Sequence, residues 1–390
     1  MTLGYYYQNP FVYRNGLPEI PIDLYLACQE FLKYFDEVVI LANHQEQSNR
    51  NTKPLPEGVK MVDIGPLKPH WVRLLGFGYD RERVRQASQK LDALIIQGPT
   101  TLVPHIGKDA PRPLKIFLQV GFWGSVYPGQ FRSHSLIKEI GLQCMVRIAE
   151  YQQKQAFKKG IIFSNNPLKL EMYKKLAPGY FISKGLVRKE EISKRTSFEI
   201  IEPIKLLYYG RIESDKHIET IIRACRLLKE QEFPFHFDIV GGASGPYLKH
   251  LLELTRQLDI EKEITFHGPV PFHEKQQYFN RADIFIFHTC GTEGFPRVIW
   301  EAFSFGTPVI AANYPGADLF FENEKHLLLF ERKNQSELAE KIIALSNNER
   351  LRRRISTEGQ KLLSEHTLEK GHGNMAKLII KAINNHNDGQ

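Results

Sequence analysis

The chain is poor in cysteine, has no long apolar run and gathers no metal ligands, and each shortage removes a class of protein. Its four cysteines, Cys28, Cys144, Cys225 and Cys290, are too scattered for a disulfide framework and include no CxxC pair. Cys28 and Cys225 fall in helical apolar patterns, which predicts buried free thiols and a reducing compartment. No apolar segment approaches the ~18 to 20 residues that cross a bilayer. The opening residues MTLGYYYQNP carry neither the basic region nor the apolar stretch of a secretion signal, so a cytoplasmic protein is expected. Gly-x-Ser-x-Gly, a Walker loop and the cysteine-protease signatures are missing too, which sets the hydrolases that depend on them aside. His267, His273 and His288 lie at strand ends or turns without ligand spacing, so no metal is expected.

What is present describes a globular protein. Of its 390 residues, 42% are hydrophobic and 25% charged. This length exceeds one ordinary core and fits two α/β domains. The net charge of +8 is uneven: residues 1–190 hold 26 Lys and Arg against 16 Asp and Glu, and residues 191–390 hold 26 against 28. A positive first half suits an anionic partner, whether nucleic acid, a phospholipid headgroup or a phosphorylated acceptor, and is equally compatible with a solvated surface.

Short apolar runs alternate with helical stretches, the pattern of parallel sheets with crossover helices. In the first half, MTLGYYY and the runs beginning at Glu37, Ala93, Leu114 and Gly160 read as strands, and 22–35, 81–91 and 136–158 as helices. In the second half, strands begin at Ile204, Phe235, Ile264, Ala282, Pro308 and His326. The helices there are 217–231, 247–258, 272–280, 297–305 and 335–345. Several of these strands end in glycine, where an open α/β sheet binds its ligand. A polar, basic stretch at 183–197 marks the boundary. The predicted layout is an N-terminal domain 1–190, a C-terminal domain 191–365, and a segment 366–390 that crosses back as a helix with a flexible tail.

Two constellations carry chemistry. The first is Glu293-Gly-Phe-Pro-Arg-Val-Ile-Trp-Glu301, one carboxylate in a glycine-flanked loop and a second within the following helix. If that helix starts near Arg297, its amides and positive dipole end favour an anion beside Glu293. Glu293 could instead be a cap. Glu301 is flanked by Val298, Ile299, Trp300, Ala302 and Phe303, and a carboxylate buried there needs partners, which ligand hydroxyls would supply. The second is Tyr209-Gly-Arg211-Ile-Glu-Ser-Asp-Lys216. A forked guanidinium and a point-charge ammonium near a strand-end turn suit a diphosphate.

Taken in order, residues 204–345 resemble the nucleotide-sugar-binding domain of glycosyltransferase family 4, retaining enzymes of the GT-B fold. The matching residues are Gly210-Arg211, Lys216, Gly241-Gly242, Gly268-Pro269-Val270, Ala282-Asp283, Glu293 with Glu301, and Gly306-Thr-Pro-Val-Ile-Ala311. The resemblance implies an α/β GT-B chain, two Rossmann-like doubly wound domains facing a cleft. It implies a hexosyltransferase that moves a sugar from a nucleoside-diphosphate sugar to a saccharide or lipid-linked acceptor in cell-surface polysaccharide or glycolipid synthesis. It assigns the catalytic roles to Glu293, Arg211 and Lys216, with the cations neutralising the diphosphate so that neither a metal nor another cofactor is needed. Donor contacts fall to Gly16, Gly210, Gly242, Val270, Gly294, Phe295, Arg297 and Glu301, with Val270 near the base, Glu301 on the ribose and Gly16 in a loop after the first strand. No nucleic-acid partner is implied.

The chain departs from the family where His217 replaces the usual glycine after the lysine and where Pro315-Gly-Ala-Asp replaces Gly-Gly-x-x-Glu. Gln119-Val-Gly-Phe-Trp123 stands where the family has a histidine, and Pro296 cannot donate an amide to the sugar. A different GT-B enzyme, such as a sugar-nucleotide epimerase, and a catalytically silent GT-B scaffold are the rival readings. One more stretch stands out, Pro69-His-Trp-Val-Arg-Leu-Leu-Gly-Phe-Gly-Tyr-Asp-Arg-Glu-Arg. Its mixture of Trp71, Leu74, Leu75 and Phe77 with cations such as Arg73 and Arg83 fits an anionic membrane surface on the inner leaflet, or a helix packed on the first sheet.

Overall fold

The structure, a computed structural model, describes residues 1–48, 51–120, 136–185, 187–243, 245–271, 274–291 and 293–387. The chain divides into two compact units, Met1–Lys184 with Leu368–Gln390, and Gly185–Thr367. The first division thus falls after residue 184 where the sequence places it at 190, and the second after 367 where the sequence places it at 365.

The first unit is built on a ten-stranded sheet. Its strands are β1 (Thr2–Tyr6), β2 (Phe11–Arg14), β3 (Leu17–Pro21), β4 (Glu37–Gln45), β5 (Thr52–Pro54), β6 (Val59–Pro66), β7 (Ala93–Gly98), β8 (Leu114–Gln119), β9 (Ile161–Ser164) and β10 (Gly179–Phe181). The order is β10-β9-β8-β7-β1-β4-β2-β3-β5, with β6 on β4. Among the described residues, only β2–β3 and β3–β5 are antiparallel strand pairs. β1, β4 and β7 are buried on both faces, which is why they read as unbroken apolar runs.

Its helices are α1 (Ile22–Phe31), α2 (His70–Leu74), α3 (Arg81–Ser88), α4 (Val103–Asp109), α5 (Leu136–Phe157) and α6 (Pro167–Lys174). α1 stops short of the expected residue 35 because Lys33 and Tyr34 donate to Glu30 and Phe31, three residues back, tightening the last turn. Asp80 and Asn166 cap α3 and α6 by accepting from Arg83 N and Lys169 N.

The second unit has a six-stranded sheet, all parallel: β11 (Ile204–Tyr209), β12 (Phe235–Val240), β13 (Ile264–Gly268), β14 (Ile284–Phe287), β15 (Val309–Ala312) and β16 (Leu328–Phe330). Its helices are α7 (Ile218–Glu230), α8 (Tyr247–Gln257), α9 (Lys275–Arg281), α10 (Arg297–Ser304), α11 (Gln335–Ser346) and α12 (Glu349–Ser364). α7 shows how the sequence sets this up, with Ile218, Ile221, Ile222, Cys225 and Leu228 at helical spacing and all buried against the sheet. The thiols of Cys28 and Cys225 are buried and pushed well up by that burial. The order β13-β12-β11-β14-β15-β16 reverses direction between β11 and β14. That reversal opens a crevice beyond the carboxyl ends of these two strands. The last helix, α13 (Leu368–Asn387), belongs to the first unit, where Met375, Ala376 and Ile379 join Phe31, Ile95 and Leu118 in the core.

Candidate active site

Glycine shapes the floor of the crevice in the second unit. Gly210 N donates to Val240 O at 2.9 Å, Gly241 N to Gly268 O at 2.9 Å, and Ile212 N to Gly242 O at 2.8 Å, so the ends of β11, β12 and β13 are laced together. A Cβ on Gly241, whose φ is +151°, would lie 1.7 Å from the carbonyl oxygen of Gly210. No side chain fits there. Gly242 faces more open space, its nearest neighbour being Pro269 at 3.9 Å from such a Cβ.

Two loops meet at the reversal. After β11, a short 3-10 turn Ser214–Lys216 swings the Lys216 ammonium to 2.6 Å from Glu293 Oε1 and 3.2 Å from Asp215 Oδ2. After β14, Thr289 Oγ1 donates to the same Glu293 oxygen at 3.2 Å. The backbone ties the two loops as well, Cys290 N donating to Asp215 O at 2.9 Å. The structure therefore brings together Lys216 and Glu293, 77 residues apart in sequence.

Arg211 stands at the same strand end, and Tyr208 Oη donates to its carbonyl at 2.7 Å. Its guanidinium pairs with Glu213, and the side chain is 67% exposed. Glu301, on α10, is nearly buried and lies 3.3 Å from Lys275 Nζ on α9. The sequence gives this carboxylate ligand hydroxyls as partners, and the structure supplies an ammonium. Lys275 is thus a residue that sequence reasoning misses, because the pair spans 26 residues and two helices and leaves no spacing to read. Tyr209 borders Glu301: burial first and that carboxylate second push its phenol up to about 12.

Gly294 and Phe295 precede α10, whose first residue, Arg297, is exposed. The Phe295 ring stacks flat on Trp300, with centroids 4.5 Å apart, and Trp300 packs in turn on Phe321 and His366. This stack fixes the Glu293 loop to the body of the unit. Asp283 is structural, accepting from Lys205 N at 2.8 Å and so locking β14 to β11. Val270 lies past the end of β13, two strands away from β11.

Basic side chains gather around one histidine of the site. His288 is buried at the end of β14 and accepts from Lys333 N at 3.2 Å. Burial, then the charges of His217, Arg332, Lys333 and Lys216, hold its imidazole down at about 3. His217 adopts φ 43° and ψ 49°, the left-handed backbone that glycine adopts without steric cost.

Gly16 is in the first unit, at the tip of the β2–β3 hairpin, where Asn15 and Gly16 have φ 50° and 75°. Its glycine character answers to that two-residue turn. Gln119 ends β8 and accepts from Gln153 Nε2 at 2.6 Å. Residues 121–123, where a family histidine is sought, lie outside the described residues, as do 272–273 at the expected start of α9. Among the described residues no three His, Cys, Asp or Glu side chains could hold a metal ion. No described helix is long and apolar enough to cross a membrane.

The model of the glycosyl transferases group 1 family matches residues 189–362. Among curated proteins, the chain is 29% identical over 149 residues to the putative colanic acid biosynthesis glycosyltransferase WcaL of Escherichia coli K12, covering 37% of this chain and 36% of WcaL. It is 26% identical over 168 residues to the amylovoran biosynthesis glycosyltransferase AmsK of Erwinia amylovora, covering 42% of this chain and 41% of AmsK. The alignments thus span well under half of either relative. Among solved structures, HepE of Anabaena in complex with UDP superposes with a TM-score of 0.69 at 18% identity, covering 98% of this chain and 100% of HepE. At that identity the likeness establishes the fold, GT-B.

Proposed function

We propose, from the match of residues 189–362 to the glycosyl transferases group 1 family, that this chain is a retaining glycosyltransferase. It moves a sugar from a nucleoside-diphosphate sugar to a saccharide or lipid-linked acceptor in polysaccharide or glycolipid synthesis. The observation that carries this reading is the Lys216–Glu293 contact of 2.6 Å at the carboxyl ends of β11 and β14. An ammonium and a carboxylate held together there provide one group for a diphosphate and one for the sugar attached to it.

As the bond from the anomeric carbon to the diphosphate breaks, negative charge grows on the leaving phosphate and positive charge on the sugar ring. Lys216 and Arg211 stabilise the first and Glu293 the second. Cations that neutralise the diphosphate make a metal unnecessary, so the reading includes no cofactor. Glu301, steadied by Lys275, accepts from the ribose hydroxyls, and backbone near Val270 meets the base. Gly210 and Gly242 let the phosphates approach the backbone. Gly294, Phe295 and Arg297 surround the sugar, and the cations around His288 favour the anionic donor over a neutral sugar. UDP in HepE supports a nucleotide donor, and the polysaccharide pathways named for WcaL and AmsK support the product class. The reaction is assigned to the cytoplasm, beside the inner leaflet.

A thermal-shift screen with UDP- and GDP-sugars tests this. One nucleotide class is expected to raise the melting temperature, naming the base, and failure of every nucleotide sugar to do so would favour a silent scaffold.

A further inference from the structure

The sequence stretch around Trp71 sorts, in the structure, into an inner and an outer side. Leu74 is buried against Ala149 of α5, with Met145 and Val146 beside it. Arg73, which the sequence assigns to a membrane surface, is instead only 5% exposed. Its guanidinium reaches His70 Nδ1 at 3.0 Å and Thr100 Oγ1 at 3.5 Å. The outward residues are Trp71, Leu75 and Phe77, which are 64%, 62% and 62% exposed. Single exposed apolar residues are ordinary, but three large ones within seven positions form a patch.

The fold holds this patch outward. Gly76 and Gly78 have φ +80° and +87°, and a Cβ on either would come within 2.7 Å of the His105 ring or 2.8 Å of the Lys68 side chain. Arg81 Nη2 donates to Gly76 O at 3.0 Å, and the His105 ring nitrogen bonds Leu74 O at 3.0 Å. The turn is pinned from both sides, and Lys68 and Arg81 stand at its base. The acidic groups close by are committed: Asp109 is buried under Arg81 and Arg85, and Asp80 pairs with Arg83.

We infer that Trp71, Leu75 and Phe77, ringed by Lys68 and Arg81, dock the first unit on the surface of an anionic phospholipid bilayer. The indole and the two apolar side chains sink to the level of the acyl boundary, and the cations stay among the phosphates. The excess of ten positive charges over residues 1–190 draws the unit to such a surface and is the reason a bilayer is preferred to an uncharged protein face. Membrane docking goes beyond the sugar transfer and is measured without donor, so its failure would leave donor binding untouched.

The test is flotation of the full chain with phosphatidylcholine vesicles, with and without phosphatidylglycerol. Wild type is expected on the phosphatidylglycerol vesicles alone, with binding that weakens as salt rises. Replacing Trp71, Leu75 and Phe77 together by serine is expected to weaken it ~tenfold or more, and Lys68→Glu ~fivefold or more. All four positions lie at the surface, so an unchanged melting temperature verifies the fold. Equal binding by the triple-serine variant, or no binding by wild type, overturns the inference. So does a wild-type oligomer that the triple variant converts to monomer, since that assigns the patch to a second copy of the chain.

Discussion

Lys216 and Glu293 are joined in the structure, yet the proposed reaction gives them opposite partners, so their variants should separate in sign. In Lys216→Met the diphosphate loses a charge-assisted contact of about 1.5–3 kcal/mol, which weakens UDP binding roughly 10- to 150-fold. Glu293 and Asp215 lose their cation, but both remain partly exposed, at 26% and 48%, so water re-solvates them. The stability loss should therefore stay near 1 kcal/mol. In Glu293→Gln the amide keeps the shape and the Thr289 contact, while the carboxylate charge that competes with the diphosphate for Lys216 disappears. UDP affinity should then hold or improve, while turnover falls ~100-fold through lost electrostatic stabilisation at the sugar. Titration calorimetry with UDP and a transfer assay with the donor named by the thermal-shift screen measure both quantities. If Lys216→Met binds UDP as wild type does, or if Glu293→Gln weakens UDP as much as Lys216→Met, the pair is a structural brace and the reasoning fails.

Other outcomes follow from the packing. Gly241→Ala forces a methyl into the Gly210 carbonyl and should destabilise the second unit by about 3 kcal/mol or more. Gly16→Ala meets nothing within 4 Å and bears only its φ of +75°, about 1 kcal/mol; urea unfolding of both compares them. His372 is buried in the first unit and held down from 6.5 to about 4, chiefly by burial. The unfolded chain takes up the proton first, so this contribution is complete above pH 6.5 and is lost as pH falls toward 4, by about 1.4 kcal/mol per pH unit. His372→Phe should flatten that part of the stability–pH curve measured by chemical denaturation, whatever it does to stability at neutral pH.

Local features were legible in the sequence and cross-element ones were not. Apolar runs located β1, β4, β7 and β11, and strand-end glycines pointed to the laced floor at Gly210 and Gly241, because burial and close backbone approach act on consecutive residues. The β2–β3 hairpin had a readable signal in Asn15-Gly16 that the strand pattern around it, broken by Pro18, obscured. α12 was hidden by its arginines: Arg352 is buried, donating to the carbonyls of Phe198 and Leu345, so a core position looks charged. The Lys275–Glu301 pair, the direction of Arg73 and the Glu213 partner of Arg211 all depend on how elements meet. Residue spacing carries no record of that.

The most direct measurement is a crystal structure of the chain with the nucleotide sugar that gives the thermal shift. The account predicts the diphosphate at the end of β11 in contact with Lys216 and Arg211, the ribose on Glu301 and the sugar against Glu293. A donor bound elsewhere, with Lys216 still closed on Glu293 and Arg211 still on Glu213, would contradict it.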